Sequence, residues 1–164
     1  MNDLSCCFTG HRANKLPWGF EDNNPACVEL KQKIEQAVSQ LYSRGVRHFI
    51  CGMANGCDLY CAEAVLKLKK EHPELTLEAA VPHPHQASQY PPAQKQQYKR
   101  VLSLCDRITM IHKIYSRTCM MDRNRYMVDH SDIVLAIYNG SPGGTRNTIL
   151  YALRSKKELI QIDI

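Results

Sequence analysis

Apolar positions along the chain come in two rhythms. Short unbroken runs occur at residues 4–9 (LSCCFT), 46–51, 75–81 (LTLEAAV), 107–112 (RITMIH), 133–138 (IVLAIY) and 158–164. Runs of this length, rich in β-branched and other apolar residues, suit strands buried on both faces. Between them the apolar residues return every three or four positions. Val28, Ile34, Ala37, Val38, Leu41 and Tyr42 mark a packing helix over 26–44, stopped by Gly45. Ala62, Ala64, Val65, Leu66 and Leu68 mark a second, which runs to the basic pair Lys69-Lys70. Tyr98, Val101, Leu102 and Cys105 mark a third over 93–105, residues 120–129 form a fourth, and a fifth passes through Tyr151, Ala152 and Leu153. Six strands alternating with helices predict an α/β fold: a Rossmann-like, doubly wound, mostly parallel sheet flanked by helices in a three-layer sandwich.

The breaks between strand and helix carry the candidate chemistry. Ligands of open parallel sheets sit beyond the carboxyl ends of the strands, so those loops are where functional groups are expected. After the first strand come Thr9, Gly10, His11 and Arg12. Gly10 permits the turn, Arg12 offers a fork to a phosphate or carboxylate, and His11 can donate a hydrogen bond or carry a proton; a basic surface loop is the plainer reading. After the second strand comes CGMANGCD, with Gly52, Met53 and Gly56 in the turn and Asp58 in the first turn of the next helix. Such a helix start attracts anions, and Asp58 suits either a backbone cap or a ribose hydroxyl. Asn139-Gly140-Ser141-Pro142-Gly143-Gly144-Thr145 forms a second glycine turn, and two such turns side by side make a two-sided cradle for phosphate.

Other stretches add less. The loop from Asn14 to Pro25 holds the single tryptophan, Trp18, placed either to stack on a base or to pin the loop to the core. His83 and His85, with prolines between and before them, shape another strand exit. Arg123 and Arg125 point different ways on a helix, so one at most faces a site. Glu63, a turn into the second helix, would be a general base if it points back toward the glycine turn.

Length and charge narrow the class. The 164 residues, 44% hydrophobic, suit one domain over 1–164. Eight cysteines without a CxxC pair read as buried free thiols in a reducing compartment and give no zinc-ligand spacing, so no metal is expected. No run of about 18 apolar residues occurs, and the expectation is a cytoplasmic protein with no membrane partner. Net charge is +5, with nine Lys/Arg against ten Asp/Glu in residues 1–82 and twelve against six in 83–164. That basic half favours anionic ligands from nucleotides to nucleic acid. Neither GxGxxG nor GxxxxGK[ST] is present, which excludes an ordinary dehydrogenase or P-loop NTPase.

Taken together, CFTGHR (7–12), GMANGCD (52–58), RNRYMVDHSD (123–132) and PGGT (142–145) resemble the YpsA-like branch of the SLOG superfamily, which joins the Smf/DprA DNA-processing proteins to the LOG phosphoribohydrolases. The resemblance implies a Rossmann-like domain that binds a nucleotide or nucleotide derivative, with ADP-ribose-like or NAD-derived ligands proposed for the group. It implies ligand contacts from Gly10, His11, Arg12, Gly52, Gly56 and Asp58, a phosphate on Gly143, Gly144 and Thr145, and an arginine role for Arg123. It departs at one point: the LOG enzymes carry PGGxGTxxE, whereas here Thr148 stands three positions after Thr145 where the glutamate would be. The leading expectation is a cytoplasmic sensor or regulatory protein that binds such a ligand. One alternative is a hydrolase of the N-glycosidic bond using Asp58 or Glu63; the other is DprA-like binding of single-stranded DNA. A homo-oligomer is compatible with all three.

Overall fold

Six parallel strands lie in the order β4-β3-β2-β1-β5-β6 in the computed structural model, which describes residues 3–164. They are β1 (Leu4–Gly10), β2 (Val46–Cys51), β3 (Thr76–Val81), β4 (Arg107–Met110), β5 (Ile133–Tyr138) and β6 (Glu158–Asp163). The connecting helices are α1 (Pro25–Ser43), α2 (Cys57–Lys69), α3 (Pro92–Leu104), α4 (Cys119–Asp129) and α5 (Gly144–Arg154). Helices α1, α2 and α3 pack in a row, and α4 packs with α5. The three-layer Rossmann-like sandwich is as expected, and the sheet is wholly rather than mostly parallel.

Strand alternation divides the core between the two faces. Cys6 and Phe8 point to the larger cluster with Phe49, Ile34, Leu41, Val65 and Leu77. Cys7 points to the smaller one with Ile50, Met127, Val134 and Ala152. Phe8 and Phe49 stack with ring centroids 5.6 Å apart. Helix α1 buries Cys27, Leu30, Ile34, Val38 and Leu41. Val28, expected on that stripe, is instead 43% exposed because the stripe begins one residue earlier. Trp18 is buried and its Nε1 donates to the Tyr60 hydroxyl at 3.0 Å, so it pins the loop to α2.

The topology also fixes where a ligand fits. From β1 the chain moves outward through β2, β3 and β4, then crosses back to lay β5 on the other side of β1. The loops leaving β1 and β5 therefore diverge, and the crevice at such a switch point is the usual ligand site of an open α/β sheet. Thr9 pairs with Ala136 and Gly10 with Ile137, which sets the β1 loop level with the start of the β5–α5 loop.

Candidate functional site

The cavity at the switch point has a volume of about 320 Å³ and is lined by Thr9, Gly10, His11, Arg12, Asp58, Arg123, Gly144 and Thr145 among others. Four separate stretches of sequence thus converge there: the β1 loop, the start of α2, α4 and the start of α5. Each arrives by a different local device. Gly10 lets the end of β1 touch α2: a Cβ there would stand 2.5 Å from Cys57 Cβ. His11 is buried, its Nε2 accepts from the Asn139 N–H at 3.1 Å, and its ring stacks on Tyr138. It ties the β5–α5 loop to the β1 loop, and burial together with Lys15 lowers its pKa, which favours the neutral ring.

The two glycine turns differ in what they offer a ligand. At the start of α2 the Cys57 N–H donates to the His11 carbonyl at 3.1 Å, in the turn before it the Ala54 N–H donates to Asp58 Oδ2 at 3.3 Å, and Asn55 Oδ1 accepts from the Ala13 N–H at 3.0 Å. Gly56, at φ +85°, presses against this backbone, and a Cβ would lie 2.7 Å from Ala13 N and 2.8 Å from the His11 carbonyl. This turn ties the β1 loop to α2 and carries an acid, Asp58, in the first turn of the helix. Met53 is fully buried at φ +63°, and its carbonyl accepts from the Tyr90 hydroxyl at 3.2 Å. Gly52 likewise lies behind the wall. Neither helix start is capped by a side chain, but α5 has no acid in its first turn, and that turn, with the N–H groups every helix start leaves without internal partners, lies at the cavity where Gly144 and Thr145 line it.

Arg123 supplies the charge. It is only 3% exposed, yet it lines the cavity. Its Nη1 donates to the Gly52 carbonyl, and its Nε donates to Asn124 Oδ1 at 2.7 Å. No carboxylate stands within ion-pair distance among the described residues. Burial lowers its pKa, which Asp58 pulls back up. Asp58, also buried, has its carboxyl raised by burial and lowered by Arg123 and the Ala54 N–H. Both groups crowd Gly52, where a Cβ would lie 2.8 Å from Arg123 Nη1 and 2.9 Å from Asp58 Oδ2. Arg125 faces away, over the Tyr151 ring, so one arginine of the pair faces the site.

Glu63 drops out of the site. It pairs with Arg100 of α3 and lines a different concavity of about 740 Å³ over α1, α2 and α3. There Lys31–Asp22 and Lys67–Glu35 also pair, at 3.3 Å and 3.2 Å, and Lys69 pairs with Asp106 at 2.6 Å, so of the cations lining that larger hollow only Lys70 has no ion-pair partner among the described residues. Gly143 is screened from the cavity by Lys15, whose Nζ donates to the Pro142 carbonyl at 2.9 Å. Lys15, Asn14, Met120 and Asn124 are lining residues that the sequence reading passed over. Arg12, Lys15 and Arg123 face a single carboxylate, Asp58, so the lining carries a positive excess. No three His, Cys, Asp or Glu side chains among the described residues group as metal ligands. Among the described residues no helix is long and apolar enough to cross a membrane.

Known proteins share this architecture. The SPbeta prophage-derived protein YoqJ of Bacillus subtilis is 33% identical over 145 residues, covering 80% of this chain and 85% of its own. A UPF0398 protein of Halalkalibacterium halodurans is 29% identical over 158 residues, covering 95% and 83%. Among solved structures, DNA processing protein A from Streptococcus pneumoniae superposes with TM-score 0.64 at 14% identity, over 97% of this chain. The Helicobacter pylori DNA processing protein A, described for its single-stranded DNA binding mode, gives 0.66 at 17% over 96%. The chain spans 50% and 64% of those two structures, so the likeness is to one part of each and concerns the fold. The YpsA model, described as the YspA SLOG family, matches residues 6–164, and with that match over nearly its whole length the chain belongs to this family.

Proposed function

We propose that the protein binds a nucleotide or nucleotide derivative by its phosphate in the switch-point cavity and acts as a cytoplasmic sensor or regulatory protein. One observation carries this reading. Arg123 is a buried guanidinium that lines the cavity with no carboxylate within ion-pair distance among the described residues, and a buried charge is costly unless something pairs with it. A phosphate seated on the first turn of α5 would supply that partner, with Thr145 and Arg12 beside it.

Binding rather than glycosidic hydrolysis is favoured by the acids at hand. Thr148 fills the place of the LOG glutamate, is buried, and turns its hydroxyl back to donate to the Gly144 carbonyl at 2.9 Å. Asp58 is the one carboxylate in the lining, and it already accepts from Ala54. Isothermal titration with AMP, ADP-ribose and NAD tests the proposal. Saturable binding that Arg123→Met abolishes supports it; absence of heat with every ligand at millimolar concentration refutes it. A 5′-unphosphorylated DNA strand that binds with steep salt dependence, where the mononucleotides do not, would favour the DNA reading instead.

A further inference from the structure

A second concavity, of about 380 Å³, runs between α4 and α5 and shares Met120, Asn124 and Gly144 with the phosphate cavity. The two are therefore neighbouring compartments of one cleft. Beyond the shared wall the charge is one-sided. Arg117, Arg125 and Arg154 line it, with no Asp or Glu. None of the three makes an ion pair among the described residues. Three guanidinium groups around one hollow repel each other, and the repulsion is relieved by an anion between them.

The floor is of a different kind. Tyr151 lies under Arg125, whose guanidinium carbon is 5.2 Å from the ring centroid. The Tyr151 hydroxyl donates to Asp129 Oδ1 at 2.7 Å, which holds the ring in place. Met121 and Leu150 extend the apolar surface, each 45% exposed. An aromatic face and thioether contacts suit a flat heteroaromatic base, while the arginines suit a phosphodiester or pyrophosphate group. The first compartment alone is at the low end of the roughly 300–1,000 Å³ range of small-molecule sites, and the second adds room for a further unit.

Resting on the phosphate reading of the first cavity, we infer that the α4–α5 groove receives a second nucleotide unit, covalently joined to the one whose phosphate meets Arg123. The natural ligand is then a molecule of two linked nucleotides rather than a mononucleotide. The probes are AMP and the 5′-phosphorylated dinucleotide pApA, titrated into the full chain by calorimetry. The wild-type protein is expected to bind pApA at least tenfold more tightly than AMP. Arg125→Ala combined with Arg154→Ala, both exposed and away from the core, is expected to erase that advantage and leave AMP affinity within twofold. Arg123→Met is expected to weaken both ligands.

The inference is overturned if pApA binds no better than AMP, or if the groove variant weakens the two equally, which would mark a general electrostatic effect. It is also overturned if 5′-phosphorylated tetra- and decanucleotides gain affinity with every added unit, the behaviour of a strand-binding track. AMP binding without a pApA advantage defeats this inference alone. Failure of AMP and pApA together defeats the phosphate reading and this inference with it.

Discussion

Replacing Arg123 by methionine should separate binding from stability. The guanidinium is buried and its main backbone contact is the Gly52 carbonyl, which also accepts from Gln86 Nε2 at 2.9 Å and so keeps a partner in the variant. Asn124, which accepts from Arg123 Nε, is half-buried and can turn to water. Exchanging a buried charge without an ion-pair partner for an apolar side chain of similar length removes its desolvation cost and is stabilising on that count. Asp58 opposes this gain. Its folded pKa is already raised by burial, and loss of Arg123 raises it further. A carboxyl with a raised folded pKa adds stability below its unfolded pKa and loses it as pH rises through the folded value. The stabilisation of the variant over wild type is therefore largest near pH 4 and shrinks as pH rises through the two folded values. Ligand affinity moves the other way, since removing one partner of a buried charge-assisted contact costs about 2–5 kcal/mol. That is a loss of about 30-fold to several thousand-fold. Urea unfolding from pH 4 to 8 and AMP calorimetry on the same preparations measure both. A variant destabilised by more than about 2 kcal/mol at every pH, with AMP binding intact, would refute the reasoning and make Arg123 a structural clamp.

Other substitutions probe the scaffold and the electrostatics. Gly56→Ala combines a left-handed backbone with backbone contacts below 3 Å and should cost roughly 2–4 kcal/mol; Gly144→Ala, with open space around its Cβ, should leave the chemical denaturation midpoint nearly unchanged. Asp58→Asn removes the one acid of the cavity while keeping an acceptor for Ala54, so AMP should bind several-fold more tightly; weaker binding would assign Asp58 a direct ligand contact. Glu78, 1% exposed, accepts from Thr109 at 2.7 Å and lies 2.8 Å from His48 Nε2. With burial opposing and the bonds from His48, Tyr126 and Thr109 prevailing, its pKa falls to about 2. Its stabilisation is present above the unfolded value near 4.5 and lost as pH drops toward 2, so Glu78→Gln should cost up to about 3 kcal/mol at pH 7 and little at pH 2. An equal cost at both pH values in urea titrations would contradict the ionic origin.

Much of this was legible in the sequence because buried parallel strands leave unbroken apolar runs. The 46–51 and 133–138 runs match β2 and β5 end to end, and the glycine breaks mark the loops that meet at the switch point. Two strands end sooner than their runs: β4 stops at Met110, although the Ile111 and His112 N–H groups still bond to the carbonyls of Val81 and Pro82, and β6 stops at Asp163. What stayed hidden depends on distance through space. Lys15 sits in a polar loop with no periodicity, and only the fold brings its ammonium to the Pro142 carbonyl. Glu63 reads from its spacing as a neighbour of the glycine turn, but the helix carries its side chain round to Arg100. The difference between the two glycine turns is likewise invisible in composition, since it depends on the His11 carbonyl reaching the Cys57 N–H.

The most direct test is a backbone amide NMR titration of the isotopically labelled protein with AMP. Saturable shifts concentrated at Gly144, Thr145 and the Arg123 side-chain Nε–H, lost in Arg123→Met, are the predicted result. Shifts confined to the α1–α2–α3 face, or none up to millimolar ligand, would contradict a phosphate site at the switch point.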